Sequence, residues 1–323
     1  RIHLMPLAEV DDPRPAALLT SGPAWAAVKD RLKLKVVWHK EISEATLPAW
    51  DALLNGFEGE VIYAVGGGLP HDAAKYLGTR MNLPVVSVPT ALSVDAFFTW
   101  ASGIREKGCV RYIETKVPEM MIADLDVIAA APAGIHAAGI ADVLSIATGS
   151  WDWQFAHERG ENPAGMEFIP YVHAMALDIM EGALDCAAAA GRGDKGGLRT
   201  LLDCLSLEVQ LTNQAGHARP EEGSEHYFAY AVENRCGHGR PHGDLLAPGI
   251  LLMMTAQGQD PVRVKQALSA ASVPLNQLDP VDIRETLIEL PAYCLKHQLP
   301  YGIAHELDKV NPERLDIARI LES

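Results

Sequence analysis

Val61-Ile62-Tyr63-Ala64-Val65-Gly66-Gly67-Gly68, followed by Asp72-Ala73-Ala74-Lys75, is the stretch that decides the fold. Five apolar residues in succession read as a strand covered on both faces, because a strand with one wet face would alternate. The three glycines then let the backbone turn sharply, and the residues from Asp72 read as helix. The same alternation extends to both sides. Ala17-Leu18-Leu19-Thr20 reads as a strand, and Gly22-Pro23 opens a helix carrying Trp25, Val28 and Leu32. Lys35-Val36-Val37-Trp38 reads as a second strand and Leu47 to Leu54 as a helix. Val85-Val86-Ser87-Val88 and Met121-Ile122-Ala123 supply further strands. Apolar strands separated by helices predict a parallel sheet with helices on both faces.

Beyond Pro132 the strand-like runs stop. Val172, Met175, Ala176, Ile179, Met180, Ala183 and Leu184 recur at helical spacing, as do Leu198, Leu201, Leu202, Leu205 and Val209. The expected architecture is α/β: a Rossmann-like parallel-sheet domain over 1–131 and an all-helical domain over 132–323, with a ligand cleft between them.

The chain has 323 residues, 48% hydrophobic and 21% charged, a globular rather than disordered composition. Its net charge of −15 repels phosphate backbones and anionic lipid, so nucleic acid and membrane surfaces are not expected partners. No apolar run reaches the roughly 20 residues that span a bilayer, and no signal-peptide pattern is present. The five cysteines are widely spaced without Cys-x-x-Cys, which fits reduced thiols and a cytoplasmic setting.

Three groups of residues can carry chemistry. The glycine turn with a helix behind it offers N–H groups and a positive dipole end to a pyrophosphate, but it equally reads as a tight turn without a ligand. Pro89-Thr90-Ala91-Leu92-Ser93-Val94-Asp95 lies at the carboxyl end of a strand, where open α/β sheets bind ligands; Ser93 or Asp95 could instead cap a helix. Asp142 in an otherwise apolar helix, His226 opening another, and His242 before the apolar run from Leu245 together make one carboxylate and two imidazoles. That set suits Zn²⁺ or Fe²⁺ and leaves a position open for substrate. The alternative is that Asp142 caps or pairs and each histidine is ordinary, and His238, also followed by glycine, competes with His242.

In order and spacing these segments resemble the superfamily of metal-dependent dehydrogenases that contains glycerol dehydrogenase, iron-containing alcohol dehydrogenases and dehydroquinate synthase. Within it they are most similar to the sn-glycerol-1-phosphate dehydrogenases. The similarity rests on Gly66-Gly67-Gly68-x-x-x-Asp72-x-x-Lys75, Val88-Pro89-Thr90-Ala91-Leu92-Ser93-x-Asp95 and Ile122-Ala123-Asp124-Leu125-Asp126. It continues through Ala138-Gly139-x-x-Asp142-x-Leu144-Ser145, Arg219-Pro220-x-x-Gly223-Ser224-Glu225-His226 and His242-Gly243. It implies a dehydroquinate synthase-like fold. Asp142, His226 and His242 become the ligands of one divalent metal, Zn²⁺ first with Fe or Ni as alternatives. Gly66, Gly67, Gly68, Asp72, Thr90 and Ser93 fall at NAD or NADP, and Asp95 against a small-molecule substrate.

The implied reaction interconverts a small polyol phosphate and its ketone, sn-glycerol-1-phosphate and dihydroxyacetone phosphate, in phospholipid metabolism. The alternatives are an unphosphorylated polyol dehydrogenase or an NAD-dependent cyclase of the synthase type. A homo-oligomer is expected. The chain departs from the pattern at Thr20-Ser21-Gly22, where many relatives carry an acidic residue for the adenosine ribose, so NAD versus NADP stays open. It departs again at the bulky Phe97-Phe98-Thr99-Trp100, with Trp100 a candidate to narrow the substrate pocket. Glu221-Glu222 brings acid near the metal helix, against a phosphorylated substrate. Arg105, Lys107, Arg111 and Lys116 could offset it or be structural.

Overall fold

The computed structural model describes residues 1–237, 239–310 and 315–321. Its strands are β1 (Ile2–Leu4), β2 (Ala16–Thr20), β3 (Val36–Glu41), β4 (Val61–Gly66), β5 (Val85–Pro89), β6 (Ala101–Glu106), β7 (Cys109–Glu114) and β8 (Met120–Ala123). Six of these form one sheet in the order β1-β8-β5-β4-β2-β3, and every pair in it is parallel. The connecting helices are α1 (Gly22–Val28), α2 (Leu47–Ala52), α3 (Gly68–Met81) and α4 (Leu125–Ala129). Helix α1 is shorter than its apolar spacing predicts, with Leu32 in the following turn, still buried.

Alternate side chains along the strands feed two cores. Ala16, Leu18, Val61, Tyr63 and Val65 pack on one face with Val28 and Leu32. Ala17, Leu19, Ile62 and Ala64 pack on the other with Trp50, Ala73, Ala74 and Leu77. This is why β2 and β4 are apolar at every position. From β2 the chain runs through α1 to β3 on one side, then returns through α2 to β4 on the other. The strand order therefore reverses between β2 and β4, and a crevice opens beyond their carboxyl ends at Thr20 and Gly66.

Strands β6 and β7 make a separate antiparallel hairpin that the sequence reading did not anticipate. It closes through the two-residue turn Lys107-Gly108, whose φ values are 53° and 76°, between the paired residues Glu106 and Cys109. Positive φ at both central residues is the turn that matches strand twist.

Among the described residues no strand follows Ala123. The helices there are α5 (Ile140–Leu144), α6 (Ile146–Arg159), α7 (Pro170–Gly191), α8 (Lys195–Ala215), α9 (Ser224–Cys236), α10 (His242–Ala256), α11 (Val262–Ala270), α12 (Pro280–His297) and α13 (Ile317–Leu321). Helix α10 is buried along most of its length and apolar all round, as expected of a helix surrounded by others. The helical core also takes in Leu92 and Phe97 from the loop after β5, and Cys109 and Val110 from the hairpin. The hairpin is tied across by Arg105 to Glu233 at 3.1 Å and by a 3.1 Å contact between the hydroxyls of Tyr112 and Tyr230. Tyr293 donates to the Gly108 carbonyl at 2.9 Å. Among the described residues no helix is long and apolar enough to cross a membrane.

Candidate metal centre and nucleotide cleft

Asp142 sits on the short helix α5, which the chain enters through Gly139. A Cβ on Gly139 would lie 2.9 Å from the Leu92 carbonyl oxygen and 3.0 Å from the Val94 nitrogen, so only glycine lets these segments approach. The Gly139 N–H donates to that same carbonyl at 2.7 Å. One consequence is that the Asp95 N–H donates to Asp142 Oδ2 at 2.9 Å, joining the loop after β5 to α5. Ser145, one turn on, donates to the carbonyls of Asp142 and Glu221.

His226 is in the first turn of α9, and His242 is the first residue of α10, after Pro241. Their rings are 5.5 Å apart, and ligand atoms of Asp142, His226 and His242 all lie within 4.8 Å of one another. The geometry thus brings together the three residues named from the sequence. Asp142 Oδ1 is buried with no hydrogen-bond partner, although His242 Nε2 stands 3.2 Å away. A buried carboxylate oxygen left so is costly. The donor set of one carboxylate and two imidazoles fits a borderline divalent cation that would relieve it.

Glu225 directly precedes His226 in the sequence motif. Its Oε1 lies 2.8 Å from His226 Nδ1 and also accepts the Gly223 N–H at 2.7 Å. The carboxylate favours the Nδ1–H tautomer and leaves Nε2 free as a ligand, an arrangement common behind metal-bound histidines. Burial pushes the His226 imidazole down. The Glu225 hydrogen bond and the charges of Glu222, Glu225 and Asp142 outweigh it and hold the group up at about 9. The pocket around His226 is therefore built for positive charge.

A second group of acids adjoins the first: oxygens of Asp95, Glu208 and Glu221 lie within 4.8 Å of one another. Burial, and then the charge of Asp142, push Asp95 up to about 7. Burial first, and then the charges of neighbouring acids, push Glu208 and Glu221 well above the usual carboxylate range. Glu208 sits on the apolar face of α8 with Leu201, Leu205 and Thr212, and sequence reasoning passed over it. The signal was an acid at a helical-period core position.

At the switch point, Gly66 has φ 140°, and a Cβ there would lie 2.8 Å from Ser21 Oγ. Gly67 is the N-cap of α3; a Cβ on it would come 3.3 Å from Ser93 Oγ, and one on Gly68 3.0 Å from Val94. Side chains here would fill the gap between the glycine turn and the Thr90–Val94 loop, a cradle that fits a pyrophosphate approached by bare backbone. The Thr90 N–H donates to the Gly66 carbonyl at 3.3 Å. The carboxylate of Asp72 lies 2.9 Å from the buried Lys75 Nζ and accepts the Gly103 N–H at 3.3 Å. Lys75 in turn donates to Thr99 and to the Ala101 carbonyl. Asp72 and Lys75 thus brace the hairpin against α3. No acid follows β2, but Glu41 at the end of β3 stands beside it: its carboxylate is 3.1 Å from where a Cβ on Gly22 would be.

Phe97 is fully buried and packs edge-on to His71, while Trp100 is 37% exposed. Three of the four basic residues after it are engaged elsewhere: Arg105 with Glu233, Arg111 with the His297 carbonyl and Lys116 with Asn82. Lys107 occupies the hairpin turn. His238 lies outside the described residues.

The family model for iron-containing alcohol dehydrogenase matches residues 20–132. A glycerol-1-phosphate dehydrogenase [NAD(P)+] of Sulfurisphaera tokodaii is 33% identical over 69% of this chain, a match spanning 63% of that relative's own length. Those of Sulfolobus acidocaldarius and Hyperthermus butylicus are 30% and 31% identical over 77% and 79% of this chain, and 69% and 74% of their own. In fold the chain is similar to a probable glycerol dehydrogenase from Sinorhizobium meliloti (TM-score 0.67, 18% identity, 96% of this chain and 90% of the other). It is equally similar to a sulfoacetaldehyde reductase from Bifidobacterium kashiwanohense solved with NAD+ (TM-score 0.67, 16% identity, 95% of each chain).

Proposed function

Because the chain belongs to the glycerol-1-phosphate dehydrogenase family of iron-containing alcohol dehydrogenases, we propose that it interconverts sn-glycerol-1-phosphate and dihydroxyacetone phosphate with a nicotinamide cofactor. The observation that carries this reading is the convergence of Asp142, His226 and His242, with Asp142 Oδ1 orphaned among them, beside a glycine cradle at the sheet's switch point. When bound, a divalent ion supplies Lewis acidity for the substrate hydroxyl and the nicotinamide supplies the acceptor of the electron pair.

The chain's own residues do the rest. Asp142 contributes the negative charge of the ligand set, and the Asp95 N–H holds its Oδ2 so that Oδ1 points to the site. Glu225 fixes the ring of His226. Gly67, Gly68, Thr90 and Ser93 leave room for the pyrophosphate, and Asp95 borders the substrate. Zn²⁺ is the first choice of ion for a carboxylate with two imidazoles. Glu41 supports NAD(H) over NADP(H), since a carboxylate at that strand end accepts from a ribose 2′-hydroxyl and repels a 2′-phosphate.

The cluster of Asp95, Glu208 and Glu221 supports a second reading, a dehydrogenase of an unphosphorylated polyol, because a wall of acids offers a phosphate no cationic partner. A substrate panel decides between them. Glycerol 1-phosphate, dihydroxyacetone phosphate and glycerol are each offered with NAD(H) or NADP(H) to the Zn²⁺-loaded protein, and absorbance at the reduced-nicotinamide band is followed. Turnover of glycerol but not of the phosphates replaces the first reading with the second. Turnover of neither removes both.

A further inference from the structure

Glu208 is 1% exposed, and neither of its carboxylate oxygens has a hydrogen-bond partner. Glu221 Oε2 is likewise buried and unpartnered. A buried carboxylate normally finds a donor or a cation, because an unmatched one loses its hydration without return. Two more acids, Asp95 and Glu221, stand close to Glu208, with oxygens of all three within 4.8 Å of one another. These residues come from different places in the chain: the loop after β5, the apolar face of α8, and the turn before α9. Nothing local draws them together.

We propose that Asp95, Glu208 and Glu221 form a second cation site beside the Asp142 centre, selective for a hard divalent ion of the Mg²⁺, Mn²⁺ or Ca²⁺ class. The donors are oxygens alone, whereas the neighbouring centre has two imidazoles, so the two sites sort ions by chemistry: borderline metals to the histidines and hard ones to the carboxylates. Metal–oxygen distances of about 2.1–2.6 Å suit three oxygens so spaced. Asp95 ties the two sites together, since its backbone N–H holds Asp142 Oδ2. A divalent ion here would put positive charge beside the place where an anionic substrate would lie. The site rests on the carboxylates alone, and stands or falls apart from the choice of substrate.

The test uses protein loaded with one equivalent of Zn²⁺ and titrated with Mn²⁺, the free ion being read by its electron paramagnetic resonance signal. Zinc retained by the protein is then measured by elemental analysis. One Mn²⁺ per chain should bind with zinc retained, and Mg²⁺ or Ca²⁺ should compete. Glu208→Gln and Glu221→Gln should each weaken Mn²⁺ binding at least about tenfold, as expected for loss of one charged ligand, with zinc content unchanged. The proposal is overturned if no saturable Mn²⁺ binding occurs up to about 1 mM, the weak end of protein Ca²⁺ sites. It is also overturned if Mn²⁺ binds only as zinc leaves, or if both variants bind Mn²⁺ as the parent does. Either variant suffices should the other fail to fold.

Discussion

At the scale of single residues, His226 and its neighbour Glu225 separate ligation from support. His226→Ala should lose metal and turnover together, because the two remaining ligands, Asp142 and His242, seldom retain Zn²⁺. Nucleotide affinity should change little, since the glycine turn belongs to another part of the fold. Elemental analysis beside fluorescence titration with reduced nicotinamide checks this; stoichiometric metal in the variant would remove His226 from the ligand set. Glu225→Gln is subtler. The amide no longer carries the charge that orients the Nδ1–H of His226, so zinc affinity should fall by roughly 10–100-fold while the fold persists. Competition with a chromogenic chelator measures it, and an unchanged affinity would make Glu225 a mere helix-start ligand of the Gly223 N–H. Asp142 stood out in the sequence as an acid in an otherwise apolar helix, whereas the choice of His226 and His242 beside it rested on the resemblance. Glu225 and Glu208 were not singled out, because an acid on a helix reads as solvated until the neighbouring elements bury it.

At the scale of elements, the turn between β4 and α3 and the entry to α5 each depend on a missing side chain. Gly67→Trp should abolish nucleotide binding and leave the circular dichroism unchanged. The indole would occupy the space between the turn and Ser93, where a Cβ already comes to 3.3 Å. Retained cofactor affinity in the folded variant would take the turn out of the nucleotide site. Gly139→Val acts differently. Its Cβ meets backbone, the Leu92 oxygen and the Val94 nitrogen, and backbone cannot swing aside as a side-chain tip can. Separation of the two segments should cost about 1–3 kcal/mol and draw Asp95 away from Asp142, lowering the denaturation midpoint and turnover together. A variant with the parent's midpoint in urea would show that the contact is not tight in solution. The strands β2, β4 and β5 were legible as apolar runs. The hairpin of β6 and β7 was not recognised, although Lys107-Gly108 carries the glycine of its turn, because mixed basic and apolar residues there mimic a solvated stretch. Three-residue β1 is too short to show any period at all.

At the scale of the whole molecule, the three candidate metal ligands lie on α5, α9 and α10, so an ion held by them would cross-link helices distant in sequence. Removing it with a chelator should lower thermal stability. An ion at a hundred times its dissociation constant adds about 2.7 kcal/mol to the folded state. For a chain of this length that is roughly 5 °C in Tm. Calorimetry with and without chelator, and with His242→Ala as a control that should not respond, checks the cross-link. An equal response in the control would place the ion elsewhere.

The sequence by itself determined the parallel sheet and the succession of helices after it, and it offered Asp142, His226 and His242 as candidate ligands. Those features are written in local currency: an apolar run buried on both faces, a 3.6-residue period, an uncommon polar residue on an apolar helix. Only the tertiary structure decided that Glu41 stands beside Gly22 and that Asp95, Glu208 and Glu221 meet. The first depends on which strand edge lies next to which, and the second on packing that brings Asp95 to acids more than a hundred residues further along the chain. A side chain's burial and partners belong to that packing, and no window of sequence contains them.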